Sequence, residues 1–269
     1  MATLGPRHHE ARRLHALLRD ARARVEEGAF VLEGPRVVTA ALERGAVLET
    51  VYLGPGADRA FAPLVERVRR SGVRVAELKE GVLERVGATA TPQPVLAVAP
   101  RADLALGALP VEGLVLVLVS VQDPGNAGTL LRSAEASGAA GVVFCGNSVD
   151  AHHPKVVRSS AGAIFGIPVV EGQDPVEVLE ALGAQGRRRL GTAAAGGEPL
   201  DGVDLEGPLA LVLGNEARGL GPELAPHLDG TVTIPTAGSA GESLNVAMAG
   251  TVLCFEAARR RHGARRRGR

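Results

Sequence analysis

Three polar clusters each follow an apolar run, and their residue types define the chemistry open to this chain. The first, QDPGNAGTLLRSAEASG (122–138), carries Asn126 and Arg132; the second, LGNEARGLG (213–221), carries Glu216. The third, IPTAGSAGESLN (234–245), sets Glu242, Ser243 and Asn245 at the head of a helical stripe of Leu244, Ala247, Met248, Thr251, Val252 and Phe255 that calls for burial. Ser243 alone would be an ordinary helix N-cap. An acid and an amide beside it, after flexible glycines, mark a helix start whose spare N–H groups can hold a ligand. Each cluster also has a plain structural reading: Asn126 as a cap, Arg132 as a solvated arginine, Glu216 as an acid favoured by a helix dipole. That reading is poorer for three clusters together.

Several chemistries are disfavoured by pattern. LVLGNEARGLG is neither GxGxxG nor a phosphate loop with its Lys-Ser/Thr. No serine sits in a GxSxG elbow. His152 and His153 are adjacent and lack a third ligand at metal spacing, so no metal is expected. Cys145 and Cys254 form no CxxC and read as small buried hydrophobes in a reducing compartment. No apolar run reaches the ~18 residues of a membrane span, and MATLGPRHHEARR has no signal-peptide core. The expectation is a cytoplasmic protein with no membrane partner.

The chain of 269 residues is 45% hydrophobic but 2% aromatic, so Val, Leu and Ala must fill its core. Its basic residues are arginines apart from Lys79 and Lys155. Net charge is zero yet uneven: residues 7–24 carry +4 and residues 259–269 carry +7, leaving −11 for the rest. Basic ends on a neutral chain suit a polyanionic partner.

The elements that must position the clusters follow from periodicity. A basic helix is expected over 8–25, then strands AFVLEG, VLETVYLG, VRVAEL and PVLAVAP alternating with helices at 35–44, 58–71 and 80–86. PRADLALGALPVEG (100–113) reads as a linker. LVLVLVS (114–120) is a continuous apolar run typical of a central parallel strand. It is followed by strands GVVFCG, RRLGTAA, LALVLGN and TVTIP and helices near 126–138, 154–164, 175–185 and 244–261. Such alternation gives an α/β fold with a mostly parallel sheet, and ligands of such sheets bind at the carboxyl ends of strands. The three clusters all lie at strand ends, so they can meet on one edge.

Together the clusters resemble the signature motifs of the SpoU/TrmH family of RNA ribose 2′-O-methyltransferases, within the SPOUT superfamily. NAGTLLRSAEASGAAGVVF is similar to the first motif, LALVLGNEARGLGPEL to the second and VTIPTAGSAGESLNVAMAGTVLCFEAARRR to the third. HHPKVVRSSAGAIFGIPV resembles the segment linking the first two, and the likeness covers 114–261. FVLEGPRVVTAALERGA and TPQPVLAVA are similar to the family's N-terminal substrate-binding domain, of ribosomal-protein-like RNA-binding fold. The stretch from Ile234 to Leu244 is one residue longer than the usual form.

The resemblance implies an RNA substrate-binding domain over 1–99, a linker over 100–113, a SPOUT methyltransferase domain over 114–261 and an Arg-rich tail over 262–269. The second domain would be an α/β knot, with helices on both faces of its sheet and a deep trefoil knot, an exception to the rule that chains avoid knots. Leu213, Gly214, Ile234, Leu244 and Asn245 would hold S-adenosylmethionine, chiefly through backbone groups. Arg132 would be essential, as proton acceptor or as bidentate phosphate clamp, although arginine is normally always protonated. Asn126, Glu216, Ser243 and Asn245 would orient arginine, ribose and cofactor. The implied partners are structured RNA, ribosomal ahead of transfer RNA, and a second copy of the chain docked through the closing helix. A fragment beginning near Val111 is expected to fold and bind cofactor alone. The alternative is a non-catalytic RNA-binding protein that kept the fold.

Overall fold

Short apolar runs alternate with helices whose starts are written locally. Pro35, Pro124, Pro154 and Pro175 occupy first turns, where a missing N–H costs nothing. Asp20, Asp123 and Asp174 cap helices by accepting from the backbone N–H of Arg22, Asn126 and Val176 at 2.8, 2.8 and 2.9 Å. The structure, a computed structural model, describes residues 3–87, 92–237 and 244–267. In chain order the elements begin β1 (Thr3–Leu4), α1 (His9–Arg19), α2 (Ala21–Glu26), β2 (Ala29–Glu33), α3 (Pro35–Glu43), β3 (Thr50–Leu53), α4 (Ala57–Ala60), α5 (Ala62–Arg70), β4 (Arg74–Leu78), α6 (Val82–Val86) and β5 (Val95–Pro100). They continue as β6 (Leu114–Val119), α7 (Pro124–Ala136), β7 (Gly141–Cys145), α8 (Pro154–Ser159), β8 (Val169–Gln173), α9 (Pro175–Ala184), β9 (Arg188–Thr192), β10 (Glu198–Pro199), β11 (Leu209–Leu213), β12 (Gly230–Thr233) and α10 (Val246–Arg267).

The chain divides into two compact units: Met1–Asp103 with His152–Phe165, and Leu104–Ala151 with Gly166–Arg269. The first is built on a five-stranded sheet of order β1-β4-β3-β5-β2, in which β5 runs antiparallel to both neighbours. Leu14, Leu17 and Leu18 of α1 and Val82 and Val86 of α6 pack on Tyr52, Leu96 and Val98 of this sheet. The helix expected over 8–25 is two helices, because Asp20 ends α1 and caps α2. Residues 58–71 likewise split at Phe61, ahead of Pro63.

The second unit carries a seven-stranded sheet of order β10-β12-β9-β11-β6-β7-β8, with every neighbouring pair parallel. On one face Val115, Val117, Ala210 and Val212 pack with Val178, Leu179 and Leu182 of α9. Strand alternation sends Leu213 to the opposite face. There α10 meets α7: a side chain at Gly250 would collide with Leu130 and, at 2.8 Å, with Leu213. The Ser133 and Thr251 hydroxyls bond across the two helices at 2.7 Å.

Five further expectations need correction. Residues 152–165, assigned by sequence to the second domain, belong to the first unit, where the His152 ring meets the Phe30 ring at 4.6 Å and Arg158 pairs with Glu33 at 3.3 Å. The helix expected over 154–164 stops at Ser159, since Ala161 and Gly162 take left-handed φ of 50° and 91° and a side chain at 162 would lie 2.5 Å from the Ala40 Cβ. The linker at 100–113 is anchored: Leu106 and Leu109 enter the second core, and buried Arg187 donates to the carbonyls of Pro110 and Gly113. The arginine tail expected from 262 continues α10 through Arg267. Within α10 the buried face is Ala247, Leu253, Cys254, Ala257 and Ala258, whereas Met248, Val252 and Phe255 of the expected stripe are exposed. No helix among the described residues is long and apolar enough to cross a membrane.

Candidate active site

The parallel register brings the carboxyl ends of β6, β11 and β12 to one edge, and with them all three clusters. Gly214, directly after β11, permits the tight turn there. Asn215 and Gly219 exchange backbone bonds of 3.0 and 2.8 Å, and a Cβ at 214 would sit 2.5 Å from the Leu220 amide nitrogen. Asn215 accepts from the N–H groups of Ala217 and Arg218 at 3.1 and 3.2 Å, and donates to the Ser120 carbonyl at 2.9 Å. Ser120 itself takes a left-handed φ of 55°, turning the chain sharply out of β6.

Glu216 ties two of the clusters together. Its carboxylate accepts from the N–H groups of Gln122 and Asp123 at 3.3 and 3.0 Å and from the Asn126 amide at 3.1 Å. Burial works against ionisation here, but the Asp123, Gln122 and Asn126 donors outweigh it and hold the carboxyl below its usual range. The third cluster joins through Asn245, whose amide donates to the Asn126 Oδ1 at 3.1 Å. The Asn245 Oδ1 also accepts from Ala247 and Met248 N–H groups at 2.8 and 3.3 Å, so Asn245 caps α10. Asn126 is not the cap of α7. Asp123 takes that role, which frees the Asn126 side chain to bridge Glu216 and Asn245.

These loops border a cavity of about 610 Å³. Leu213, Gly214, Ile234 and Leu244 all line it, and Asn245 does not. Arg132 lies on the exposed side of α7, its guanidinium without hydrogen bond or ion pair among the described residues, and so outside the bonded network. Ser243, and Glu242 before it, lie outside the described residues. Sequence reasoning missed Asn215 and the wall formed by Thr192–Ala195 after β9. The polar residue straight after an apolar strand was a usable signal for Asn215. Nothing in RRLGTAA signalled that β9 inserts between β11 and β12.

Other reactive groups are quiet. Burial pushes the thiols of Cys145 and Cys254 up to about 12, so neither is a nucleophile at neutral pH. Two groups of potential metal-ligating side chains exist among the described residues. In the one around His8, His9 and Glu10 the carboxylate is already taken by Arg74 at 2.7 and 3.0 Å and by the Tyr52 hydroxyl at 2.8 Å.

Residues 113–255 match the model of the SpoU rRNA Methylase family, and residues 12–97 match the MRM3-like substrate binding domain. The chain is 33% identical over 240 residues to the 23S rRNA (guanosine(2553)-2'-O)-methyltransferase RlmP of Bacillus subtilis, covering 88% of this chain and 92% of that protein. It is 36% identical over 241 residues to the 23S rRNA (guanosine-2'-O-)-methyltransferase RlmB of Xanthomonas axonopodis pv. citri, covering 86% and 96%. The crystal structure of the SpoU methyltransferase AviRb from Streptomyces viridochromogenes, in complex with the cofactor AdoMet, is similar with a TM-score of 0.82 and 32% identity. That match covers 94% of this chain and 98% of AviRb. With its three motifs gathered at one sheet edge and a family match over more than half its length, the chain belongs to the SpoU rRNA methylase family.

Proposed function

We propose that this chain transfers a methyl group from S-adenosylmethionine to a ribose 2′-hydroxyl of 23S rRNA. The observation that carries the reading is the Asn245–Asn126–Glu216 network, which draws the three motifs together beside the 610 Å³ cavity. The lining fits the cofactor. Its volume is in the range of small-molecule sites, with apolar Leu213, Leu244 and Leu253 against the backbone groups of 214–221. When bound, the cofactor supplies an electrophilic methyl on a sulfonium centre.

The chain's own groups divide the remaining work. Asn126 and Asn245 spend their side-chain bonds on each other, on Glu216 and on the α10 cap, so they position loops. Glu216, held ionised by backbone N–H donors, is a poor proton acceptor and acts as a clasp between 122–126 and 214–219. Arg132 keeps its guanidinium uncommitted, which suits a bidentate clamp on an RNA phosphate next to the target ribose. Such alignment supplies up to ~7–11 kcal/mol of barrier reduction in favourable cases. Ser243 completes the set as a hydrogen-bonding partner.

The same reading carries a trefoil knot in the C-terminal domain, a cytoplasmic site of action without a required metal, and residues 1–99 as RNA reader. It also carries a homodimer, supported by Leu244, Met248, Val252 and Phe255 standing 38, 62, 42 and 48% exposed along α10. Light scattering at micromolar concentration should give twice the chain mass.

Mapping 2′-O-methyl groups on total RNA with and without the gene tests the whole. One 23S rRNA site should be lost and should return with the wild-type chain. A site lost from transfer RNA would move the substrate class, and no lost site would favour the non-catalytic alternative.

A further inference from the structure

A second hollow, of about 300 Å³, lies in the first unit between α1 and α6, lined by Pro6, Ala11, Arg12, His15, Arg85 and Val86. Helix geometry builds it. Burial of Ala11, Leu14, Leu17 and Leu18 turns one face of α1 into the core and leaves Arg12 and His15, three apart, as neighbours at its margin. Burial of Val82, Leu83 and Val86 fixes α6 and presents Arg85 from the other side.

The charges of these walls stand beside several arginines of the unit that are already spent. Nearby arginines are committed: Arg13 to Glu27 and Glu49 at 2.6 and 2.8 Å, Arg74 to Glu10 at 2.7 Å, Arg19 to the Gly87 carbonyl at 3.0 Å. The side chains of Arg12, His15 and Arg85 have no hydrogen bond or ion pair among the described residues, and no acid lines the hollow. Convergent donors without a counter-ion form a site for an anion, and planar guanidinium forks match phosphate oxygens.

We propose that this hollow is a phosphate-binding subsite that takes a backbone phosphate of the rRNA substrate, separate from the methyl-transfer site. The proposal rests on the reading of rRNA as substrate and of the first unit as its reader. Arg12 and Arg85 hold the phosphate oxygens, and His15 adds a donor at the rim. The contact fixes the register of the RNA and carries no sequence information of its own.

The test uses the full-length protein and 23S rRNA transcribed in vitro, with binding measured across salt concentrations. Arg12→Ala/Arg85→Ala should weaken binding about tenfold, as for loss of charge-assisted bonds, and flatten the log–log salt slope by about one. S-adenosylmethionine binding and the melting midpoint should stay unchanged. Arg12→Lys/Arg85→Lys should keep the salt slope. Arg36→Ala/Arg59→Ala removes the same charge from exposed positions of the same unit and should change affinity less than about threefold, as for loss of exposed charges. Equal weakening by the two alanine pairs, or none by the first, would overturn the subsite. Cross-linking of bound RNA separates the remaining failures. Cross-links in the first unit away from α1 and α6 overturn the subsite alone, whereas cross-links confined to the second unit overturn the first unit's role as reader as well.

Discussion

The edge of the seven-stranded sheet and the hollow between α1 and α6 spend their polar groups in opposite ways. At the sheet edge Asn126, Asn215, Glu216 and Asn245 are bonded to one another and to backbone groups, so the loops are set before any ligand arrives. At the hollow the side chains of Arg12, His15 and Arg85 are bonded to nothing among the described residues. A site that must align atoms for reaction profits from dipoles already fixed, because no reorganisation is then needed at the moment of transfer. A surface that must hold a long polyanion profits from charge left unspent. Arg132 is the informative exception: it belongs to the first motif, yet in its lack of partners it resembles the arginines of the hollow.

That resemblance yields the largest expected effect. Arg132→Ala removes neither core packing nor a loop bond, so folding and S-adenosylmethionine affinity should be near wild type. Turnover on rRNA should fall by ~10²–10⁴ if the residue acts on the reacting ribose. Arg132→Lys keeps charge but loses the planar fork, and single-turnover rates on the two variants separate charge from geometry. Near-normal turnover of the alanine variant would make Arg132 a solvated helix arginine and break the parallel with the hollow.

A smaller effect is expected from the fixed side of the comparison. Gly214→Ala places a methyl 2.5 Å from the Leu220 amide nitrogen, in backbone that cannot rotate away. The turn must open, at a cost of about 1–3 kcal/mol typical of overpacking. A lowered melting midpoint together with weaker S-adenosylmethionine binding by calorimetry is the expected pair. Unchanged cofactor binding would show that the Gly214–Gly219 turn does not shape the cavity.

Much of this arrangement was legible in residue order, and the limits are physical. Continuous apolar runs identified β6, β7 and β11, since a strand buried on both faces has no alternation to obscure it. The two-residue strands β1 and β10 carry no period at all, and β8, VVEGQ, was hidden by its glycine and acid. Capping competed with periodicity at Asp20, where one residue ends a helix and begins another. The strand-end clusters announced that the motifs would meet, but not that Asn126 and Asn245 would bond across 119 positions. Such pairs depend on strand order, and β9 entering between β11 and β12 was not readable. The segment 152–165 was misassigned for a related reason: its partners Phe30, Glu33 and Ala40 lie over a hundred residues away. A fragment beginning near Val111 would therefore carry a detached piece of the first unit, so paired surface substitutions test RNA reading more cleanly than truncation.

The smallest expected effect concerns the state of the clasp. Glu216 is held below its ordinary value of 4.5 in the folded chain, with burial opposing and the N–H donors of Asp123 and Gln122 and the Asn126 amide prevailing. A carboxyl depressed by folding stabilises the folded chain at neutral pH. That contribution declines as pH falls through its folded value, where a proton weakens a carboxylate that accepts from Gln122, Asp123, Asn126 and Asn215. Cofactor affinity should follow the same sign, since 214–219, one of the two loops joined by Glu216, lines the cavity. Glu216→Gln keeps one carbonyl acceptor and places an amide against donors it cannot accept from. At pH 7 it should bind S-adenosylmethionine about fivefold more weakly, the loss expected of one hydrogen bond. Between pH 6 and about 3.5, an interval chosen to bracket the carboxylate's ordinary titration, wild-type affinity should fall towards that of the variant, while the variant's own affinity changes less. Parallel acid limbs in the two proteins would place the pH sensitivity elsewhere, with Glu10, Asp229 and Glu256 the other depressed carboxyls available to carry it.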